Sequence, residues 1–201
     1  DLIGFGHEAD EPVDIRSQNL IDKVGDGADA RIASPHELVI KGTVTSSDQM
    51  VLSAGAALNS YKDSYFDGLP VDDSNGQDHY LKQIGEDQFS ILMTGTLTSL
   101  ADDTTLSLAA QDDVIVRGNI DVLGNNSNLE VRSEGWTYIE GFLTAQNDIT
   151  IKGGFDADGN SADGASSEGS SIYVHETASI NSKQAASEIT IEGAQDVDLL
   201  G

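Results

Sequence analysis

The chain has 201 residues and carries 35 acidic side chains against 10 Lys and Arg, so its formal net charge at pH 7 is −25. This charge argues against nucleic acids and anionic membrane surfaces as partners, because both require a basic footprint on the protein. Cysteine is absent, which excludes disulfides and thiolate metal sites. The sequence contains no run of about eighteen apolar residues, so we expect neither a transmembrane helix nor membrane insertion. A hydrophobic content of 38% is sufficient at this length for one sizeable core.

The first thirty residues are less regular than the rest and form either an N-terminal cap or a first coil of the structure that follows. Val13 and Ile15 have the alternation of a short strand, whereas 18–24 favours a short capping helix. At the other end, 196–201 has the pattern of an interrupted strand. This pattern predicts that a continuing chain, or a partner, follows it.

A repeat of 23 residues organises the middle of the chain. Three segments share the pattern apolar-x-apolar-x-Gly-x-apolar, namely 91–97, 114–120 and 137–143, and their glycines are Gly95, Gly118 and Gly141. A second short strand follows in each repeat, with apolar residues two positions apart. Looser copies occur at 38–52 and 172–193, so at least five copies are present. A fixed period of this length is typical of a solenoid.

Alternation with period two runs through the repeat glycine. In one repeat, Val114, Val116, Gly118 and Ile120 fall on one face, and the residues between them fall on the other. This pattern predicts one strand through the glycine, which lies where a bulky side chain would crowd the interior or where the strand bends into the next wall.

The predicted fold is all-β, a parallel β-helix (β-solenoid) with coils of roughly 20–23 residues stacked about 4.8 Å apart. The solenoid covers 31–201 and carries two acidic loop insertions, at 61–88 and 154–170. A β-sandwich is the alternative, because short strands at regular spacing also suit it.

The segment 141–154 resembles the Gly-x-Leu-Thr-Ala…Asp-Ile-Thr-Ile-x-x-Gly repeat of filamentous-haemagglutinin-type giant secreted adhesins, and 42–55 is a looser copy. The resemblance implies a right-handed parallel β-helix that forms part of an extracellular or cell-surface rod or fibre. The amino-terminal secretion motifs of that family are not recognisable in this sequence.

The second insertion contains a candidate calcium site formed by Asp156, Asp158, Asn160 and Asp163. Asp-x-Asp-Gly-Asn can gather several hard oxygen ligands from one loop, which is the chemistry that calcium requires. The loop is not an EF-hand, because Ser161 stands where the sharp-turn Gly belongs and Ser167 where the bidentate Glu belongs. The alternative interpretation is a solvated turn without a bound ion.

No arrangement of residues in this sequence points strongly to catalysis, and we expect that the protein is not an enzyme. Arg117 is one of four arginines, and the period places it beside Glu140 on the outer face as a cross-strand ion pair. Trp136, Tyr138 and Phe142 lie close together in one coil, where they form either a sugar-stacking platform or a packed contact.

These patterns predict a non-catalytic structural segment of a secreted or cell-surface fibre or adhesin that self-assembles head to tail into filaments. Its partners would be copies of itself or the continuation of a longer chain, together with glycans or a cell-surface receptor. The alternative is a polysaccharide-binding or polysaccharide-degrading β-helix module of the cell envelope.

The candidate calcium site predicts that millimolar calcium raises the midpoint of thermal unfolding by several degrees relative to a chelator, because a specific ligand stabilises the folded state by mass action. Replacing Asp156 and Asp158 by Asn should abolish the shift, and magnesium at the same concentration is the control. An unchanged midpoint would leave the acidic loop as a solvated turn.

Overall fold

The computed structural model describes residues 13–15, 20–23, 30–34, 38–54, 91–155, 160–161 and 170–200. Within these ranges the chain forms nineteen short strands and no helix. The strands are β1 (Val13–Ile15), β2 (Leu20–Lys23), β3 (Ala30–Ser34), β4 (Leu38–Ile40), β5 (Thr43–Ser46), β6 (Met50–Ala54), β7 (Ile91–Met93), β8 (Thr96–Ser99), β9 (Thr105–Ala110), β10 (Val114–Val116), β11 (Asn119–Val122), β12 (Asn128–Ser133), β13 (Thr137–Ile139), β14 (Phe142–Ala145), β15 (Ile149–Gly153), β16 (Ser170–Val174), β17 (Ser179–Ser182), β18 (Ile189–Gly193) and β19 (Asp196–Leu199).

Each strand is hydrogen-bonded to the strand three positions later in the chain, so the strands form three parallel sheets. Sheet A has the order β1-β4-β7-β10-β13-β16-β19, sheet B the order β2-β5-β8-β11-β14-β17, and sheet C the order β3-β6-β9-β12-β15-β18. Each coil contributes one strand to each sheet, which gives six coils and a seventh strand in sheet A. The predicted parallel β-helix is therefore confirmed, and the β-sandwich, which needs antiparallel sheets, is wrong.

The strand register confirms the period read from the sequence. Val114 pairs with Ile91 and with Thr137, which lie one period before and one period after it. In sheet C, Leu129 pairs with Ile149, so the fifth coil is shorter. The residues that this coil lacks are missing from the turn between sheets B and C, so the strands themselves keep their register.

The core is the interior of the stack. Inward side chains of all three sheets form one cluster, in which Val114, Val116, Ile120 and Val122 are fully buried. Each coil alone could not enclose such a row, but successive coils cover one another. The predicted inward face is thus correct along the whole repeat.

The chain turns at the repeat glycine from sheet A into sheet B, which confirms the second of the two predicted roles, a bend into the next wall. The backbone N–H groups of Arg117 and Gly118 both donate to the carbonyl of Met93, at 2.8 and 3.1 Å. A Cβ atom at Gly118 would lie 2.0 Å from the carbonyl oxygen of Gly95, one coil below. The solenoid therefore has three walls, and glycine at this corner lets successive coils approach.

A second corner, between sheets B and C, uses residues that tolerate a left-handed backbone. Asp103 and Asn126 occupy equivalent positions in successive coils with φ of 55° and 54°. Short polar side chains adopt this conformation more readily than others. Asn126 also donates from Nδ2 to Oδ1 of Asp103 over 3.0 Å, which connects the two coils.

The N-terminal strands β1, β2 and β3 pair with β4, β5 and β6. Residues 20–23 form strand β2, so the capping helix is wrong at these four positions. The insertion at 61–88 lies outside the described residues. Of the insertion at 154–170, only residues 154, 155, 160, 161 and 170 are described.

The corner geometry predicts that Gly118→Ala lowers the free energy of unfolding by about 3 kcal/mol, because the added methyl group must displace backbone in the neighbouring coil. Asn119→Ala is the control, since Asn119 follows the glycine and is exposed. Denaturant unfolding measures both. Equal stabilities of the two variants would contradict this account of the corner.

Candidate functional site

The interior of the solenoid opens at its C-terminal coil. Ile149 in β15 is fully buried, whereas Ile189, which pairs with it in β18, is 43% exposed. Val174, Ile180 and Ile191 in this coil are only partly buried. Inward apolar side chains stack in columns through the solenoid, and in the preceding coils the next coil covers them. In this coil they reach solvent, because no described strand lies beyond β17 or β18.

Strand β19 covers one of the three walls at this end. It pairs with β16 through Val197 and Leu199, and Leu199 is 58% exposed. The N–H of Leu200 then donates to the carbonyl of Val174 over 3.0 Å. Arg117 makes the same bond to Met93 at its own corner, so Leu200 stands at the start of an equivalent corner.

We call this surface the open end and define it by its apolar side chains, which are Ile180, Ile189, Ile191, Val197 and Leu199. It has the form of a step, because sheet A extends one strand beyond sheets B and C. The outer edges of β17 and β18 present backbone groups in parallel register beside an apolar row. Such an edge binds further strands by main-chain hydrogen bonding.

The rim of the open end is acidic. Glu176, Glu188, Asp196 and Asp198 are exposed around it. Glu192 is paired with Lys152 of the preceding coil, at 3.1 Å. A second copy, whose net charge is also −25, would be repelled by this rim at low ionic strength, and salt screens this repulsion over distances of about 10 Å at 0.1 M.

The predicted pairing of Arg117 with Glu140 is confirmed. Arg117 Nε lies 3.0 Å from Glu140 Oε2, and both side chains remain partly exposed. The Arg117 guanidinium also lies 5.8 Å from the centre of the Tyr138 ring. Its geometry is that of a surface ion pair, which contributes at most about 1 kcal/mol to stability.

Tyr138 and Phe142, two of the three aromatic residues that the sequence places in one coil, lie on different sheets. Tyr138 lies on the outer side of sheet A and stacks on Tyr173 of the next coil, with ring centres 5.2 Å apart and planes at 5°. Phe142 begins β14 in sheet B, where it is 57% exposed. Trp136 precedes β13. Sequence reasoning missed the partner of Tyr138, although the register pairs it with Tyr173.

The candidate calcium ligands Asp156, Asp158 and Asp163 lie outside the described residues, and Asn160 is described and exposed. In the part of the chain that the structure describes, no cluster of three or more His, Asp or Glu residues could hold a metal ion. The calcium site stays a prediction.

No known protein family matches the chain, and no curated protein or solved structure matches it either. The resemblance to haemagglutinin-type repeats therefore stays a prediction, and the fold defines the protein only as a parallel β-solenoid. Among the described residues there is no helix with the length and hydrophobicity needed to cross a membrane.

The surroundings of Tyr138 predict an effect of alkaline pH. Burial raises the pKa of Tyr138 above the ordinary 10.0, and the charge of Glu140 raises it further while Arg117 opposes the rise. A raised folded-state pKa adds stability that is present below about pH 10 and is lost as pH rises through the folded-state pKa.

Wild type should therefore lose more unfolding free energy than Tyr138→Phe between about pH 9 and 11, as measured by denaturant unfolding at each pH. Glu140→Gln should lower the pKa of Tyr138 and reduce this difference. If the wild-type and Tyr138→Phe profiles run parallel, the phenol does not contribute in this way.

Proposed function

We propose that this chain is a non-catalytic structural segment of a secreted or cell-surface fibre, and that its coils extend the fibre by stacking end to end. The open end is the observation that carries the proposal. Ile189 is 43% exposed at a position whose equivalents in the preceding coils are fully buried. An additional coil in the same register would cover it.

The occupant that fits the open end is another parallel coil of the same kind. It would pair with the free edges of β17 and β18 and place an apolar side chain over each of the exposed interior columns. Complete burial of one Ile, Leu or Val contributes about 1.5–3 kcal/mol, so several such side chains can stabilise a specific contact. This coil comes from the continuation of a longer chain or from a second copy of this segment.

The charge distribution supports a rod that is kept separate from its neighbours. A net charge of −25 on a narrow stack repels parallel rods, which favours growth along the axis over lateral association. Contact between ends still requires screening of the acidic rim. Assembly should therefore be stronger at physiological salt than at low salt.

The non-catalytic part of the proposal is supported by the position of Arg117. A β-helix enzyme that abstracts a proton from a polysaccharide needs a basic group held toward its substrate. Arg117 instead points along the outer surface to Glu140 and Tyr138. The resemblance to secreted adhesin repeats agrees with an extracellular or cell-surface location.

End-to-end stacking predicts that the wild-type chain associates with increasing concentration at about 0.15 M salt, as measured by sedimentation velocity. Ile189→Lys should weaken this association about ten- to a hundredfold, because it places a charge on the apolar column of the open end. Leu100→Lys is a matched control. Leu100 is 44% exposed but lies on the side of the solenoid, after β8.

A wild-type chain that stays monomeric at all concentrations would contradict the stacking. So would equal weakening by Ile189→Lys and Leu100→Lys, because it would point to general effects of the added charge. If Ile189→Lys associates as strongly as the wild type does, the contact lies elsewhere on the molecule.

A further inference from the structure

The outer side of sheet B is a polar surface that the fibre proposal does not use. We call it the hydroxyl face and define it by the outward side chains of five successive strands, β5, β8, β11, β14 and β17. They are half-buried or exposed, and they alternate with residues that are buried in β5, β8, β11 and β14 and half-buried in β17. The hydroxyl face consists of Thr43, Thr45, Thr96, Thr98, Asn119, Asp121, Phe142, Thr144, Ser179 and Asn181.

The hydroxyl face is nearly free of charge on a strongly acidic protein. Asp121 is its one carboxylate, and it has no Lys or Arg. The outer side of sheet C differs, since it carries both Arg132 and Glu130 on β12, and Lys152 on β15. A surface without cations offers no ion pair to phosphate, sulfate or carboxylate groups, and the net charge of −25 repels anionic polymers.

The polar groups of the hydroxyl face are available to a ligand. Among the described residues, no hydrogen bond joins the hydroxyls of Thr45, Thr98 or Thr144 to another protein group. Each Thr hydroxyl can donate one hydrogen bond and accept two, and Asn181 adds an amide with both functions. The face thus offers donors and acceptors together, as a sugar hydroxyl does.

Strand pairing fixes the spacing of these groups. Thr45 pairs with Thr98, Thr98 with Asp121, Asp121 with Thr144, and Thr144 with Asn181, so the five side chains form one column. Neighbours in the column are about 4.8 Å apart, and the second column is about 6.7 Å away along the strands. The column is about 19 Å long, and its groups are held in position by the sheet.

An aromatic side chain lies within this polar surface. Phe142 is 57% exposed and belongs to the second column, between Asn119 and Ser179. The apolar side of a pyranose ring can lie on such a ring while its hydroxyls bond to the neighbouring amides and hydroxyls. The centre of a protein–protein interface, in contrast, is rich in aromatic residues, Met and Arg. The composition of this face therefore favours a sugar polymer over a protein.

We propose that the hydroxyl face binds an uncharged, extended polysaccharide that runs across the coils along the column from Thr45 to Asn181. The two columns supply hydrogen bonds at a regular interval and Phe142 supplies a stacking position. Each coil repeats the contact, so affinity increases with the number of coils that one polymer chain touches. This site is independent of the open end.

The test uses affinity gel electrophoresis of the full chain in gels that contain hydroxyethylcellulose, galactomannan, dextran or alginate. Wild type should be retarded by at least one of the three neutral polymers and not by the anionic alginate. A triple variant, Thr45→Val, Thr98→Val and Thr144→Val, keeps the shape and strand propensity of these side chains but removes their hydroxyls. Its affinity for the retarding polymer should be at least about tenfold lower, since one hydrogen bond contributes about two- to tenfold.

The matched control is the double variant Thr150→Val and Thr190→Val, which makes the same change at half-buried outward positions of sheet C. It should be retarded as wild type is. Phe142→Ala is a second variant at an exposed position and should also lower the affinity, even if the triple variant does not fold.

Failure of all three neutral polymers to retard the wild type would overturn the proposal, and so would retardation by alginate alone. The proposal would also be overturned if both the triple variant and Phe142→Ala were retarded as strongly as the wild type. A different result would identify ice as the ligand of this face and reject the polysaccharide. In that case the wild type would depress the freezing point, the triple variant would not, and no polymer would retard the wild type. None of these results depends on whether the chain stacks end to end.

Discussion

Parallel stacking in register is the constraint on which the rest of this structure depends. Coils lie about 4.8 Å apart, so each residue must fit the residue at the same position one coil away. The sheet A to B corner shows the strictest case. There, a Cβ atom on Gly95 or Gly118 would lie 2.0 Å from the carbonyl oxygen of the glycine one coil below. A larger residue at one corner would move the backbone of its neighbour as well.

The same constraint governs polar groups inside the stack. Thr137 occupies an inward position of sheet A and donates its hydroxyl hydrogen bond to the carbonyl of Lys152, at 3.1 Å. The Ser133 hydroxyl lies 2.8 Å from that of Thr137 and is also within hydrogen-bond distance of the carbonyl of Gly135. Buried hydroxyls are tolerated here because the backbone carbonyls of Lys152 and Gly135 accept their hydrogen bonds.

A solenoid separates its functional surfaces, since its ends and sides do not share residues. The open end exposes apolar columns and strand edges, whereas the hydroxyl face exposes neutral polar groups over five coils. The first suits extension of the stack and the second suits a ligand along it. A fibre with both would bind a neutral polymer through many repeated weak contacts.

The sequence by itself determined the period, the inward face and the pairing of Arg117 with Glu140. It could do so because the coils are in register, so that a spacing of 23 residues along the chain becomes a direct contact between coils. Where a coil has an insertion this relation fails, and for that reason the stacking of Tyr138 on Tyr173 was missed.

Only the tertiary structure decided that the solenoid has three walls and which apolar side chains of its C-terminal coil are exposed. Alternation continues through the corner at Arg117 and Gly118, so the sequence pattern does not distinguish a bend from a straight strand. The turn becomes visible only when the corner N–H groups bond to the coil below. Likewise, Ile149 and Ile189 have the same local pattern, and their exposure differs because β18 covers one and no described strand covers the other.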